Sequence, residues 1–380
     1  MPASRTAPAP LCSPRGERPG FARRAGSALI IVLVLVVALS VFILSFASDA
    51  NLELRYAAVA SRRRQCDALA ESGLAIATML MEKQREISPD AEMDSGEDDD
   101  RWFEAARRLA KGQPLVGLVE DIGDGQVILT IEPEPGRRNV NLLTDEDWER
   151  ILENAGVPEE CWPMLIDSYG DWIDEDENER ADGAETESYY AKLEHPYSAK
   201  NGPLDTVGEL LLIRGFSETI LKGGPFDPTK MDQLANEKAG SNRFAAHVDR
   251  FADTNLVTIS GIEDLLTTYG DGKVNIQSAP REVLMTLPGI DDLAAGAILE
   301  ERGDFDDPLS DDAREPYASV DDLYSRIDGL DPAAREHMTT SSSYFRITVT
   351  GKVGAVERRL WGIVYCDKDR VRILRWCEEP

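Results

Sequence analysis

Oxygen-bearing side chains crowd one short stretch of the chain, residues 171–185, which reads DWIDEDENERADGAE. Counted from Asp174, oxygen donors fall at loop positions one, three, five and twelve, namely Asp174, Asp176, Asn178 and Glu185. This is the ligand spacing of an EF-hand calcium loop. Because the donors are hard oxygen atoms, with no nitrogen or sulfur among them, the stretch favours calcium over transition metals.

The match to an EF-hand is incomplete. Position six is Glu179, where the sharp turn of the loop needs glycine, and the residues that follow lack the pattern of an exit helix. We therefore expect a calcium loop with a different backbone path and with Asp171 as a further ligand. The alternative that the sequence leaves open is a solvated acidic loop without an ion.

The other residues that could do chemistry form no catalytic or zinc-binding pattern. The three histidines are scattered, and neither a Gly-x-Ser-x-Gly motif nor a phosphate loop is present, so no enzyme is indicated. The five cysteines show no zinc-site spacing. Cys366 and Cys377 fall on what read as neighbouring strands and could form a disulfide in an oxidising compartment.

An uncharged segment, residues 27–47, has the length of a membrane span, about 30 Å as a helix. Its apolar length argues against a cleaved secretory signal. Residues 1–26 hold five arginines and one acid, which favours a cytoplasmic N-terminus and export of the rest. The formal net charge of -29 indicates an acidic ectodomain that repels nucleic acid and anionic lipid.

The remainder predicts an α+β protein. Residues 48–87 contain no proline, and Ala70, Leu74, Ala77 and Met81 recur at helical spacing. We therefore expect the span and the stalk to form one helix. A glycine turn at residues 123–125 predicts a hairpin, and alternation after residue 343 predicts three antiparallel strands that join it.

A weak internal repeat follows residue 139. The phrases NVNL at 139–142 and VNIQ at 274–277 each precede two helices, which indicates two inserted helical subdomains. Both are expected to resemble SAM or helix-hairpin-helix subdomains, the second most clearly. Asp291 and Asp292 stand where a helix-hairpin-helix would hold a phosphate, so nucleic acid is not an expected partner.

The basic leader ending in Gly26, the uncharged span and its amphipathic continuation resemble a type IV pilin or pseudopilin. The first insertion adds the motifs NVNL (139–142), DWID (171–174), GAE (183–185) followed by YY (189–190), and NGPL (201–204). With these, nearly the whole chain resembles the K component of the general (type II) secretion pathway, a large minor pseudopilin. Ile31, where most pilins have glutamate, is the departure expected of that component.

The resemblance implies that a prepilin peptidase cuts between Gly26 and Ser27. It implies a subunit at the pseudopilus tip, which helps initiate assembly with the I- and J-type minor pseudopilins and the inner-membrane secretion platform for the export of folded proteins. It also implies a single-pass inner-membrane protein with a cytoplasmic N-terminus and a periplasmic C-terminal domain, and it raises the expectation of calcium. The alternative is an uncleaved, membrane-anchored adaptor outside any filament.

The predicted organisation has seven segments. They are a basic prepilin leader (1–26), a transmembrane helix (27–47), a stalk helix (48–87), the first part of a pseudopilin α/β domain (88–138), a first helical subdomain with the acidic loop (139–250), a second helical subdomain (251–340) and C-terminal antiparallel strands (341–380).

Overall fold

A computed structural model describes residues 25–87, 101–231, 256–303, 315–367 and 370–378. Most of the predicted leader, the acidic connector at 88–100 and the predicted boundary at 250/251 lie outside the described residues. The chain divides into two compact units, Met1–Ser61 and Arg62–Pro380. Each is described by itself.

The first helix, α1 (Ala25–Glu86), runs without a break through residues 27–47 and on into the larger unit. This confirms the prediction of one long N-terminal helix. In the smaller unit its side chains from residue 28 onward are almost all exposed, including the uncharged stretch. By length and composition alone, α1 is the one helix among the described residues that could cross a membrane.

The larger unit contains a five-stranded antiparallel sheet in the order β1-β2-β9-β10-β11. Its strands are β1 (Leu115–Ile122), β2 (Gly125–Pro133), β9 (Tyr344–Val353), β10 (Val356–Cys366) and β11 (Val371–Glu378). The predicted hairpin and C-terminal strands therefore join in one sheet. One face of the sheet buries Val127, Leu129, Ile347 and Val349 in a core shared with the last turns of α1 and with α2 (Arg101–Ala110).

Gly73 permits this close packing of α1 on the sheet. A Cβ atom at position 73 would overlap the Val349 side chain and lie 2.7 Å from Cγ1 of Val127. On the same face of α1, Ala70 and Ala77 are fully buried. Three small residues one turn apart thus let the helix backbone approach the strands.

The disulfide between Cys366 and Cys377 is not formed, and both cysteines are free thiols. The prediction of neighbouring strands was right, but the register separates the two residues. Cys366 lies opposite Val371, whereas Cys377 lies opposite Trp361, about 17 Å away along the strands. A disulfide needs Cα atoms within about 7 Å, so this pair cannot close.

Between β2 and β9 lies a mainly helical region. Its α-helices are α3 (Asp145–Ala155), α4 (Trp162–Ile173), Glu218–Lys222, Arg281–Leu284, Asp292–Arg302 and Val320–Arg326. Its short strands are β3 (Arg138–Asn139), β4 (Gly223–Phe226), β5 (Val257–Ser260), β6 (Leu266–Thr267), β7 (Val274–Asn275) and β8 (Met338–Thr339). Its 3-10 turns are Glu134–Gly136, Val140–Leu142, Glu159–Cys161, Tyr190–Lys192, Val207–Leu212, Pro228–Lys230, Glu263–Leu265 and Pro332–His337. One hydrophobic core, from Val140 to Met338, runs through the whole region.

A buried ion pair crosses this core. Nη2 of Arg138 lies 2.6 Å from Oδ1 of Asp147, and both side chains are almost fully buried. Nη1 of Arg138 also donates to the carbonyl of Thr286 at 3.0 Å. Although burial opposes ionisation, the charge and hydrogen bond of Arg138 hold the pKa of Asp147 at about 2. The pair therefore joins α3 to a turn far away in the sequence.

Candidate cation site in the acidic loop

The acidic loop begins where α4 ends. Ile173 is the last residue of the helix, and Asp174 already has extended backbone. Trp172, one residue before the end, packs edge-on against Tyr190 with ring centroids 5.2 Å apart. This aromatic contact therefore holds the end of α4 next to the segment that follows the loop.

Asp171 anchors the loop to the helix. Its carboxylate is fully buried and accepts hydrogen bonds from the backbone N–H groups of Arg180, at 3.1 Å, and Ala184, at 2.8 Å. Burial raises the pKa of Asp171 in spite of these bonds. These hydrogen bonds let Asp171 orient the loop, and its role as a cation ligand stays a prediction.

Glu185 is the most unusual group in the loop. Its side chain is 3% exposed, and neither carboxylate oxygen has a hydrogen-bond donor at normal length and angle. Burial raises the pKa of Glu185, opposed by the nearby Thr186 N–H and reinforced by the charges of Asp171 and Asp174. An ionised carboxylate in such surroundings is unfavourable without a compensating positive charge.

Asp174 resembles Glu185 in this respect. Its Oδ1 atom is buried without a hydrogen-bond donor. Burial raises the pKa of Asp174, and the charge of Asp176 adds to the effect. The first and last positions of the predicted EF-hand spacing thus both present unpaired oxygen atoms.

The middle positions of that spacing do not point inward. Asp176 and Asn178 are exposed, and Oδ1 of Asp176 accepts the backbone N–H of Asn178 at 2.7 Å. This Asx turn uses the Asp176 carboxylate locally, at the point where an EF-hand would direct it to the ion. The prediction of a backbone path different from an EF-hand fits this geometry.

Asn201, which the sequence did not predict as a ligand, brings a further oxygen atom to the acidic loop. Its Oδ1 is buried without a donor, while its Nδ2 donates to the carbonyl of Asp176 at 3.0 Å. Its backbone is left-handed, with φ of 48°, which asparagine tolerates better than most residues. An asparagine directly before Gly202 and Pro203 was the available signal.

The donor set fits a hard cation. At the acidic loop, the buried carboxylate and amide oxygens without donors belong to Asp174, Glu185 and Asn201. Calcium takes carboxylate, amide and carbonyl oxygens together. No three Asp, Glu, His or Cys side chains within the described ranges stand close enough to hold a metal by themselves. A cation here would therefore need amide or carbonyl oxygens as well as the two carboxylates.

The other predicted site residues lie at the N-terminal end. Gly26 and Ser27 fall in the first turn of α1, and Ile31 is 63% exposed on the same helix. Nothing in this geometry bears on cleavage, which stays a prediction. Of the histidines, His195 and His337 lie far apart in the sequence, and His247 lies outside the described residues.

Residues 133–223, which include the whole acidic loop, match the family model described as type II secretion system (T2SS), protein K. A curated relative, type II secretion system protein K of Pseudomonas aeruginosa, is 30% identical over 200 residues. That alignment covers 50% of this chain and 57% of the relative, so the chain spans little more than half of the relative's length. A solved structure of the GspK-GspI-GspJ complex from enterotoxigenic Escherichia coli is similar with a TM-score of 0.49 and 15% identity. That similarity covers 87% of this chain and 99% of the solved one.

The family match and the curated relative agree with each other and with the motifs at 139–142, 171–174, 183–185 and 201–204. All four motifs lie inside the matched residues, and three of them contribute to the acidic loop or to its contacts. The similarity of this chain to the K component of the type II secretion system, first drawn from its sequence, is thereby confirmed.

Proposed function

We propose that the chain is a minor pseudopilin of the type II secretion system, located at the pseudopilus tip and helping to initiate its assembly for the export of folded proteins. The observation that carries the proposal is the family match over residues 133–223. The long apolar α1, followed by an α/β unit that packs on its last turns, supports it.

Ile31 supports the tip position. In most pilins a glutamate at this point neutralises the amino terminus of a neighbouring subunit in the apolar filament core. Ile31 cannot supply that charge, and an unpaired amino terminus in low dielectric costs several kcal/mol. A subunit that lacks the carboxylate is therefore better suited to the end of a filament than to its repeat.

The partners follow from the same proposal. They are the I- and J-type minor pseudopilins, the prepilin peptidase and the inner-membrane secretion platform. The location is the inner membrane, with a cytoplasmic N-terminus and a periplasmic C-terminal domain, as the arginine-rich leader before α1 favours.

We also infer that residues 139–250 and 251–340 are two inserted subdomains of related design. Asn139 and Asn275 support this, because each side-chain Oδ1 accepts the N–H two residues later, at 3.1 and 2.8 Å. Each also lies in a two-residue strand with a parallel partner, Leu266–Thr267 for the first and Met338–Thr339 for the second. The two share one hydrophobic core.

Calcium is the proposed ion of the acidic loop. Bound there, it would supply the positive charge that the buried oxygens of Asp174 and Glu185 lack. Asp171 orients the loop through backbone N–H groups, and Asn201 joins it to a later segment. The role of the ion is thus to rigidify a surface, with no catalytic step.

One experiment separates the tip subunit from the uncleaved adaptor. N-terminal sequencing of the mature protein should begin at Ser27, and Gly26→Leu should leave the longer precursor and stop pseudopilus assembly. Gold labelling of an epitope in the ectodomain should mark one end of each filament. An intact leader on the working protein would support the adaptor, and label at regular intervals along the filament would contradict the tip position.

A further inference from the structure

The last strand of the sheet has a free edge. In the described ranges β11 pairs with β10 on one side and with no strand on the other. The backbone N–H and C=O groups along such an edge can template an additional extended chain. The side chains of Ile373 and Leu374 on this strand are 48% and 42% exposed, so the edge is also partly apolar.

Two guanidinium groups on β11 are positioned by aromatic rings. Arg372 lies over the ring of Tyr365, 5.3 Å from its centroid, and Arg375 lies over Trp361 at 5.4 Å. Stacking of this kind holds a guanidinium in place while leaving its Nη groups available to an anion. Nε of Arg375 donates to Sγ of Cys377 at 3.4 Å.

Arg346, on the neighbouring part of the sheet, has the carboxylate partner that the two arginines of β11 lack. It lies over the same Trp361 ring at 5.0 Å, but its Nη2 is 2.8 Å from Oε1 of the buried Glu134. Across the described part of the chain, neither Arg372 nor Arg375 has a carboxylate within ion-pair distance. Among the described residues, no carboxylate therefore neutralises their charges.

The positive charge of Arg372 and Arg375 is opposite in sign to the net charge of the chain. The chain carries a net charge of -29, and the opposite edge strand, β1, carries Glu120 and Asp121. A basic, partly apolar edge on an acidic protein complements an acidic chain and repels a basic one. The two edge strands of the sheet therefore carry opposite charges, negative on β1 and positive on β11.

We propose that β11 binds an acidic, extended segment of another polypeptide, which adds to the free edge as a further strand and pairs its carboxylates with Arg372 and Arg375. Ile373 and Leu374 contact the apolar residues that alternate with those carboxylates. This inference does not depend on the proposed function, because it concerns the chemistry of the edge alone.

The first test measures peptide binding to the full chain in detergent micelles. The probe is a fluorescein-labelled ten-residue peptide of alternating Glu and Val. Matched peptides carry Lys for Glu, or Pro for Val so that no strand can form. The Glu-Val peptide should bind, binding should weaken with added salt, and neither matched peptide should bind.

Variants localise the binding. The double variant Arg372→Gln/Arg375→Gln should weaken it by about tenfold or more, because two charge-assisted bonds are lost. The control Arg281→Gln/Arg335→Gln removes the same charge from surface ion pairs elsewhere and should leave it unchanged. Equal loss in both variants would overturn the proposal, since it would reduce the effect to net charge.

Hydrogen exchange on the unaltered chain tests strand addition and needs no variant. Saturating Glu-Val peptide should slow amide exchange in residues 371–378 and leave residues 115–122 of the acidic edge unchanged. No binding at low salt, or binding without this protection, would refute the inference. Self-association of the chain that Arg372→Gln/Arg375→Gln abolishes would assign the edge to a second copy and would equally refute it.

Discussion

Gly183 packs directly against the carboxylate of Asp171, so closely that a Cβ atom at position 183 would overlap Oδ2. The next residue, Ala184, donates its N–H to the same oxygen at 2.8 Å. Asp171 is buried at the end of α4, and Gly183 belongs to the returning part of the loop. The absence of a side chain at 183 thus allows the loop to close on its anchor.

Gly183→Ala is therefore expected to destabilise the larger unit by about 2 kcal/mol, because the added methyl group forces the loop off Asp171. The free energy of unfolding in urea measures the effect. Gly208→Ala is the matched control, since a Cβ there meets nothing closer than Oγ1 of Thr206 at 3.8 Å. Equal stability of the two variants would show that the contact between 183 and 171 is not tight.

Glu185→Gln should abolish the response to calcium. In chelator the variant is expected to melt above the parent, because a buried unpaired charge has been removed. Calcium should raise the melting temperature of the parent by several degrees and leave the variant unchanged, with magnesium much less effective. Glu187→Gln, on an exposed neighbour, should behave like the parent. If the parent itself does not respond to calcium, the loop is only an acidic surface.

Asp147→Asn tests the buried ion pair with Arg138. We expect a loss of about 3 kcal/mol near neutral pH, because Arg138 stays buried without its counter-charge. The pKa of Asp147 is lowered from 3.8 to about 2, so its ionisation contributes stability above pH 3.8 that disappears as the pH falls towards 2. The difference between parent and variant should therefore shrink over this interval in urea unfolding. A difference independent of pH would mean that the carboxylate is not held by its charge.

Gly73→Leu should separate α1 from the sheet. The new side chain has no space between Val127 and Val349, and the expected cost is about 3 kcal/mol. Limited proteolysis within residues 62–86 and urea unfolding both measure the loss. Ala75→Leu, two residues away at an exposed position of the helix, is the control and should be tolerated.

The sequence predicted the elements better than the sites. The uncharged run and the helical spacing of Ala70 and Ala77 identified α1, since helices are decided by local periodicity. Alternation identified β9 to β11, but not their register, and register is what separates Cys366 from Cys377. Which residue faces which partner depends on contacts that a local pattern does not contain.

The acidic loop shows the same limit. Spacing selected Asp174 and Glu185, which do hold unpaired buried oxygens, and also Asp176 and Asn178, which lie in an exposed Asx turn. Spacing assumes a backbone path, and here the path differs from the one that defined the motif. Asn201 reaches the loop from a segment beyond its end, where no spacing rule would look for it.

The order of strands in the sheet affects how the protein is made. β2 pairs with β9, so that Ile131 lies opposite Ile347, and most of the chain is synthesised between them. The core around the end of α1 therefore stays incomplete until the last strands arrive, and contacts so distant in sequence form slowly. Until they arrive, that apolar surface is a natural target for chaperones. Loss of the final strands should therefore lead to degradation of the whole larger unit, beyond the lost edge itself.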